Sequence, residues 1–129
     1  MPTSFVWANV GEAKPAANQA DPDFVAGKRA VKAKDWKAAI DAFGKVIASK
    51  PDSADAHNYL GECRRDQGDM EAAIKSYLQA LALNADHANA NYNMAEFLYL
   101  AKRFDEAIPH FERSQLDDWL ERSMYCLYK

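Results

Sequence analysis

Three histidines, His57, His87 and His110, and two cysteines, Cys63 and Cys126, are the side chains of this 129-residue chain best suited to act as a base, a nucleophile or a metal ligand near neutral pH. Such chemistry needs the groups at defined spacings. The cysteines form no CxxC pair and no histidine stands at a metal-ligand spacing from either, so neither a disulfide framework nor a zinc site is indicated. His57 and His87 fall near helix starts and His110 inside a helical stretch, which predicts capping, partial burial or plain exposure. The carboxylates are dispersed and no glycine-rich phosphate loop appears. No enzyme activity, cofactor or metal is therefore expected. Sixteen basic and 19 acidic residues give a net charge of −3 with no block of like charges, so no nucleic-acid partner is expected. No apolar run approaches the ~18 residues that would suggest membrane insertion.

The pattern that organises the chain is self-similarity at a spacing of 34 residues. Gly27, Gly61 and Ala95 share it, as do Ala39, Ala73 and Ala107, and Ile40, Ile74 and Ile108. The large apolar residues Phe43, Tyr77 and Phe111 follow the same step, and so do Trp36, Met70 and Phe104. Each unit reads as two helices around a polar turn, because small and apolar residues recur at three- and four-residue steps on either side of a breaker. In the second unit the spacing predicts helices over Ala54–Asp66 and Met70–Leu83, broken at Gly68. In the first, Asp21 and Pro22 form a start signal, Lys34-Asp35 the turn, and Trp36–Ser49 the second helix, which Pro51 ends. The small registers predict close approach of the paired helices, with Ala39, Ala73 and Ala107 meeting Gly27, Gly61 and Ala95. Both large apolar registers are expected to fill the seams between units. Pro109 predicts a slight bend or a place in the first turns of its helix.

The unit resembles the tetratricopeptide repeat, whose pattern has a small residue at position 8, alanine at 20, an aromatic at 24, a small residue at 27 and proline at 32. With Ala20, Ala54 and Ala88 as first positions, the second repeat supplies Leu60, Gly61, Ala73, Tyr77 and Ala80. The first supplies Gly27, Ala39, Phe43 and Pro51 but has Val46 at position 27, and the third supplies Ala95, Ala107, Phe111 and Ser114. The aromatic usual at position 4 is replaced by Asp23, His57 and Asn91. The resemblance covers roughly residues 20–116 and implies an all-α, right-handed superhelical solenoid of three helix pairs, about 20–53, 54–87 and 88–116, followed by a terminal helix over about 117–129.

It also implies a peptide or protein partner in a concave groove lined by the first helices. Carried onto this sequence, the groove positions give Phe24, Lys28 and Lys32; Asn58, Glu62 and Arg65; and Asn89, Tyr92, Glu96 and Tyr99, with Asn93 beside them. The lysines and Arg65 suit an acidic group, the asparagine amides suit an extended backbone, and the tyrosines suit an apolar anchor. The lysine and asparagine set that holds chaperone C-terminal carboxylates is not matched, since Lys28, Tyr59 and Asn89 stand at three of its positions.

Residues 1–19 are rich in alanine, proline and polar residues and read as a flexible leader. Val6-Trp7-Ala8 has the small residue of an export-signal end without a basic start or a long apolar stretch, so the compartment stays open, with the cytoplasm favoured. In the last segment Leu116, Leu120, Met124 and Leu127 step along one face while Trp119, Tyr125 and Tyr128 crowd another. Either the segment begins a fourth repeat or those aromatics mediate self-association into a homo-oligomer.

Overall fold

A computed structural model of the chain describes residues 21–114. The expected leader, the terminal helix and the self-association residues Trp119, Tyr125 and Tyr128 lie outside the described residues. Six helices follow one another: α1 (Pro22–Lys32), α2 (Trp36–Ser49), α3 (Ala54–Asp66), α4 (Met70–Leu83), α5 (Ala88–Leu100) and α6 (Phe104–Ser114). Among the described residues there is no strand.

The same local code builds each pair. After α1 the chain turns through Lys34 at φ +58°, whose N–H donates to the Val31 carbonyl while the Asp35 N–H donates to that of Ala30. Gly68 at φ +88° and Lys102 at φ +62° repeat the geometry, with Gly68 and Asp69 donating to Arg65 and Arg64, and Lys102 and Arg103 donating to Tyr99 and Leu98. This is the Schellman ending, which satisfies the last carbonyls of a helix through one left-handed residue. Two of these turns lead straight into a cap, as the Asp35 and Asp69 carboxylates accept from the Ala38 and Ala72 N–H groups that open α2 and α4. Asp21, Ser53 and His87 cap α1, α3 and α5 in the same way.

The paired helices pack most extensively with each other, and α2 then packs on α3, α4 on α5, and α3 on α5. The result is an all-α solenoid of stacked helix pairs. Its core lies along the seams. Phe24, Ala39, Phe43, Val46, Ala56 and Cys63 form one apolar cluster across the first two repeats. Ala73, Tyr77 and Met94 join the second repeat to the third, and Ala95, Leu98, Ala107 and Phe111 fill the third.

Two packing expectations are refined. A methyl group placed at Gly27 or Gly61 would meet the Phe43 ring at 2.7 Å or the Tyr77 ring at 2.6 Å, so the aromatic of the second helix lies across the glycine, while the Ala73 carbonyl stands 3.1 Å from the Gly61 position and Ala107 shares a cluster with Ala95. In the register Trp36, Met70 and Phe104, only Trp36 packs on a described seam cluster. Trp36 is half-buried against the first cluster, but Met70 and Phe104 are 37% and 42% exposed. Pro109 is the sixth residue of α6, which runs through it without interruption.

Candidate functional site

The first helices α1, α3 and α5 carry the expected groove residues, and the direct packing of α3 on α5 brings the central ones together. Asn93 is the hub. Its Nδ2 donates to Asn58 Oδ1 at 2.9 Å and to Glu62 Oε1 at 3.4 Å, while its Oδ1 accepts from Arg65 Nη1 at 3.2 Å. Arg65 also lies 3.6 Å from the Asp66 carboxylate. Asn58 and Asn93 are only 2% and 4% exposed, so these two amides form a floor, and Glu62 and Arg65 rise half-buried beside it. Buried polar groups cost stability unless they are paired, and this cross-repeat pairing meets that cost while fixing the donors in place.

Burial pushes the Glu62 carboxyl up from its ordinary range, opposed by the Asn93 hydrogen bond and the Arg65 charge. Burial works against the Arg65 guanidinium, yet Tyr77, Asp66, Glu62 and Glu96 around it more than compensate, so it is held firmly protonated. Tyr92, Glu96 and Tyr99 are half-buried along α5, with the Tyr99 ring 5.6 Å from Phe104, and Asn89 is exposed at the start of that helix.

The α1 end differs. Phe24 is 3% exposed and packs edge-on against Phe43 and Tyr59, at 5.6 and 5.7 Å between ring centres, so it belongs to the core of the first seam. Phe43 and Tyr59 stack in parallel at 5.0 Å. Beyond them an open recess of about 370 Å³ is lined by Val25, Lys28, Arg29, Val31, Lys32 and Tyr59. Lys28, Arg29 and Lys32 are exposed, and no ion pair holds any of them among the described residues.

The described histidines are engaged in structure. His87 Nδ1 accepts from the Ala90 N–H and its Nε2 lies 2.6 Å from Asp55 Oδ1, an arrangement that fits a neutral ring protonated at Nε2. His57 is buried with Nε2 3.3 Å from the Pro51 carbonyl. His110 Nδ1 lies 2.9 Å from Asn91 Oδ1, and burial, with the Arg113 charge, lowers its pKa. Cys63 is buried, and desolvation raises its thiol to about 11, which leaves it unreactive as a nucleophile. Among the described residues no three His, Cys, Asp or Glu side chains gather to hold a metal, and no helix is long and apolar enough to cross a membrane.

Sequence reasoning missed the role of Asn91, fully buried where the repeat pattern has an aromatic. Its Nδ2 donates to the Ala85 carbonyl at 2.9 Å and the His87 carbonyl at 3.0 Å, tying the inter-repeat loop to α5 while its Oδ1 faces His110. The polar residue at position 4 was the available signal, since an amide replacing a packing aromatic must find partners of its own.

Comparison with known proteins adds to this geometry. The tetratricopeptide repeat family matches residues 24–84 and 64–118, together well over half of the chain. The sequence is similar to tetratricopeptide repeat protein 36 of Mus musculus, 33% identical over 92 residues that cover 68% of this chain and 50% of that protein. The Homo sapiens protein of the same name is 32% identical, with 68% of this chain and 49% of that protein covered. The chain thus spans about half the length of these curated relatives. A crystal structure of MamA aligns with a TM-score of 0.61 and 24% identity, covering 77% of this chain and 57% of that one, a likeness of fold alone.

Proposed function

Because the chain belongs to the tetratricopeptide-repeat family, we propose that it works as a protein-interaction scaffold, holding a segment of another protein on the face built by α1, α3 and α5. The observation that carries this reading is the hydrogen-bonded polar seam of Asn58, Glu62, Arg65 and Asn93. On this face the buried amides of Asn58 and Asn93 hold the half-buried side chains of Glu62 and Arg65 at fixed positions. A preorganised set of donors and acceptors lowers the ordering cost of binding an extended backbone. Tyr92 and Tyr99, seven residues apart on α5, frame an apolar anchor site, and Glu96 and Asn89 supply polar edges. Lys28 and Lys32 give the opposite end of the face its positive charge.

Site-specific photocrosslinking tests the reading. A photoreactive phenylalanine analogue at position 92 or 99 should capture a protein from the native extract. The same probe at exposed Leu78 on α4 should not. Capture from position 78 alone would move the binding surface to the second-helix side.

A further inference from the structure

The recess at the α1 end combines an apolar floor with a positive rim that no ion pair holds among the described residues. Val25, Val31 and Tyr59 form the floor, and Lys28, Arg29 and Lys32 the rim. Lys28 and Lys32 stand four residues apart on one helix, where like charges repel. An acidic ligand with apolar side chains between its carboxylates would relieve that repulsion and cover the floor. The chain's own sequence contains such a segment. Leu116, Trp119 and Leu120 stand within the six residues 116–121, and Asp117, Asp118 and Glu121 fall between and after them. Three apolar and three acidic side chains thus answer three apolar and three basic ones.

We infer that the segment 116–121 of one copy docks into the α1 recess of a second copy, joining molecules head to tail. The occupant belongs to another copy because α1 opens the stack of helices while the segment follows Ser114 at its other end, with the second and third repeats between them. A contact between opposite ends of two copies is heterologous, so it adds molecules one after another, into open chains or a closed ring, and the assembled fraction grows with concentration. This inference rests on the first-helix face being a surface for peptide binding and names the chain's own segment as one of its ligands.

Light scattering on the full chain across a concentration series provides the test. The weight-average mass should rise with concentration at low ionic strength and fall back toward the monomer in ~1 M salt, where the Debye length is about 3 Å. Lys28→Glu/Lys32→Glu, on exposed positions, should weaken association about tenfold or more while helical circular dichroism is retained. Asp117→Lys/Asp118→Lys should do the same. Mixing the two variants should restore association, because the native recess of one meets the native segment of the other. A monomer at every concentration, or a mass indifferent to both charge reversals, overturns the inference. Photocrosslinking from positions 92 and 99 would then decide separately whether the rest of the face binds another protein.

Discussion

Two glycines with the same helical setting carry opposite expectations, and the difference lies in one ring. Gly61 faces Tyr77, and an added methyl would sit 2.6 Å from that ring and 3.1 Å from the Ala73 carbonyl. Gly61→Ala should therefore overpack the second repeat and destabilise the fold by about 1–3 kcal/mol. Gly44, inside α2, has open space where the methyl would go, so Gly44→Ala should gain about 0.5–1 kcal/mol of helix propensity. Urea unfolding of both variants checks the pair. A similar response of both would show that the ring over Gly61 can move aside. That close approach was legible in the sequence from the spacing of small and aromatic residues, although the aromatic was not assigned as the partner of the glycine. Asn58 and Asn93 were expected as polar groove residues and not as each other's partners. Their hydrogen bond joins residues 35 apart in sequence, and residue type alone does not tell a buried amide from an exposed one. Phe24 illustrates the same limit, since its groove position did not reveal that two rings from α2 and α3 enclose it.

The elements are specified by their ends. Turn residues 34, 68 and 102 all take the left-handed conformation, and the residue after each turn precedes the next helix. In the first two repeats that following residue is an aspartate that caps the helix through its carboxylate. In the third it is Arg103, which instead reaches over the exposed surface to Glu106 at 2.6 and 2.8 Å. An exposed pair of this kind contributes little, whereas a missing cap costs about 1 kcal/mol. Arg103→Ser should stabilise α6 by about 0.5–1.5 kcal/mol, because the new hydroxyl and the Glu106 carboxylate three residues on would then have the spacing of a capping box. Thermal unfolding measures the gain. A fall in stability would mean that the bidentate pair contributes more than an exposed ion pair does elsewhere. Helix bounds were readable because caps and breakers act within a few residues of themselves. The exposure of Met70 and Phe104 was not, since the same register position is half-buried as Trp36 in the first repeat and exposed in the other two.

At the scale of the whole molecule, a repeat array is a line of units that each touch only their neighbours, so its stability is close to a sum of repeats and seams. The period of 34 made the architecture legible, because one local code is written three times. It did not show that the seams differ. The first seam is bridged by the Phe24, Phe43 and Tyr59 rings, while the α3–α5 contact between the second and third repeats depends on the Asn93 hub. Removing that hub should therefore act locally. Asn93→Ala would leave Asn58 Oδ1 and the half-buried Arg65 guanidinium without this partner, at a cost of about 1–3 kcal/mol. In a linear array the loss falls on the units beyond the weakened seam. Native-state hydrogen exchange should show amides of α5 and α6 exchanging about 5- to 100-fold faster, while those of α1 and α2 change little. Equal acceleration in all six helices would mean that the three repeats unfold as one cooperative unit, with the seam contributing to the whole rather than to the end it joins.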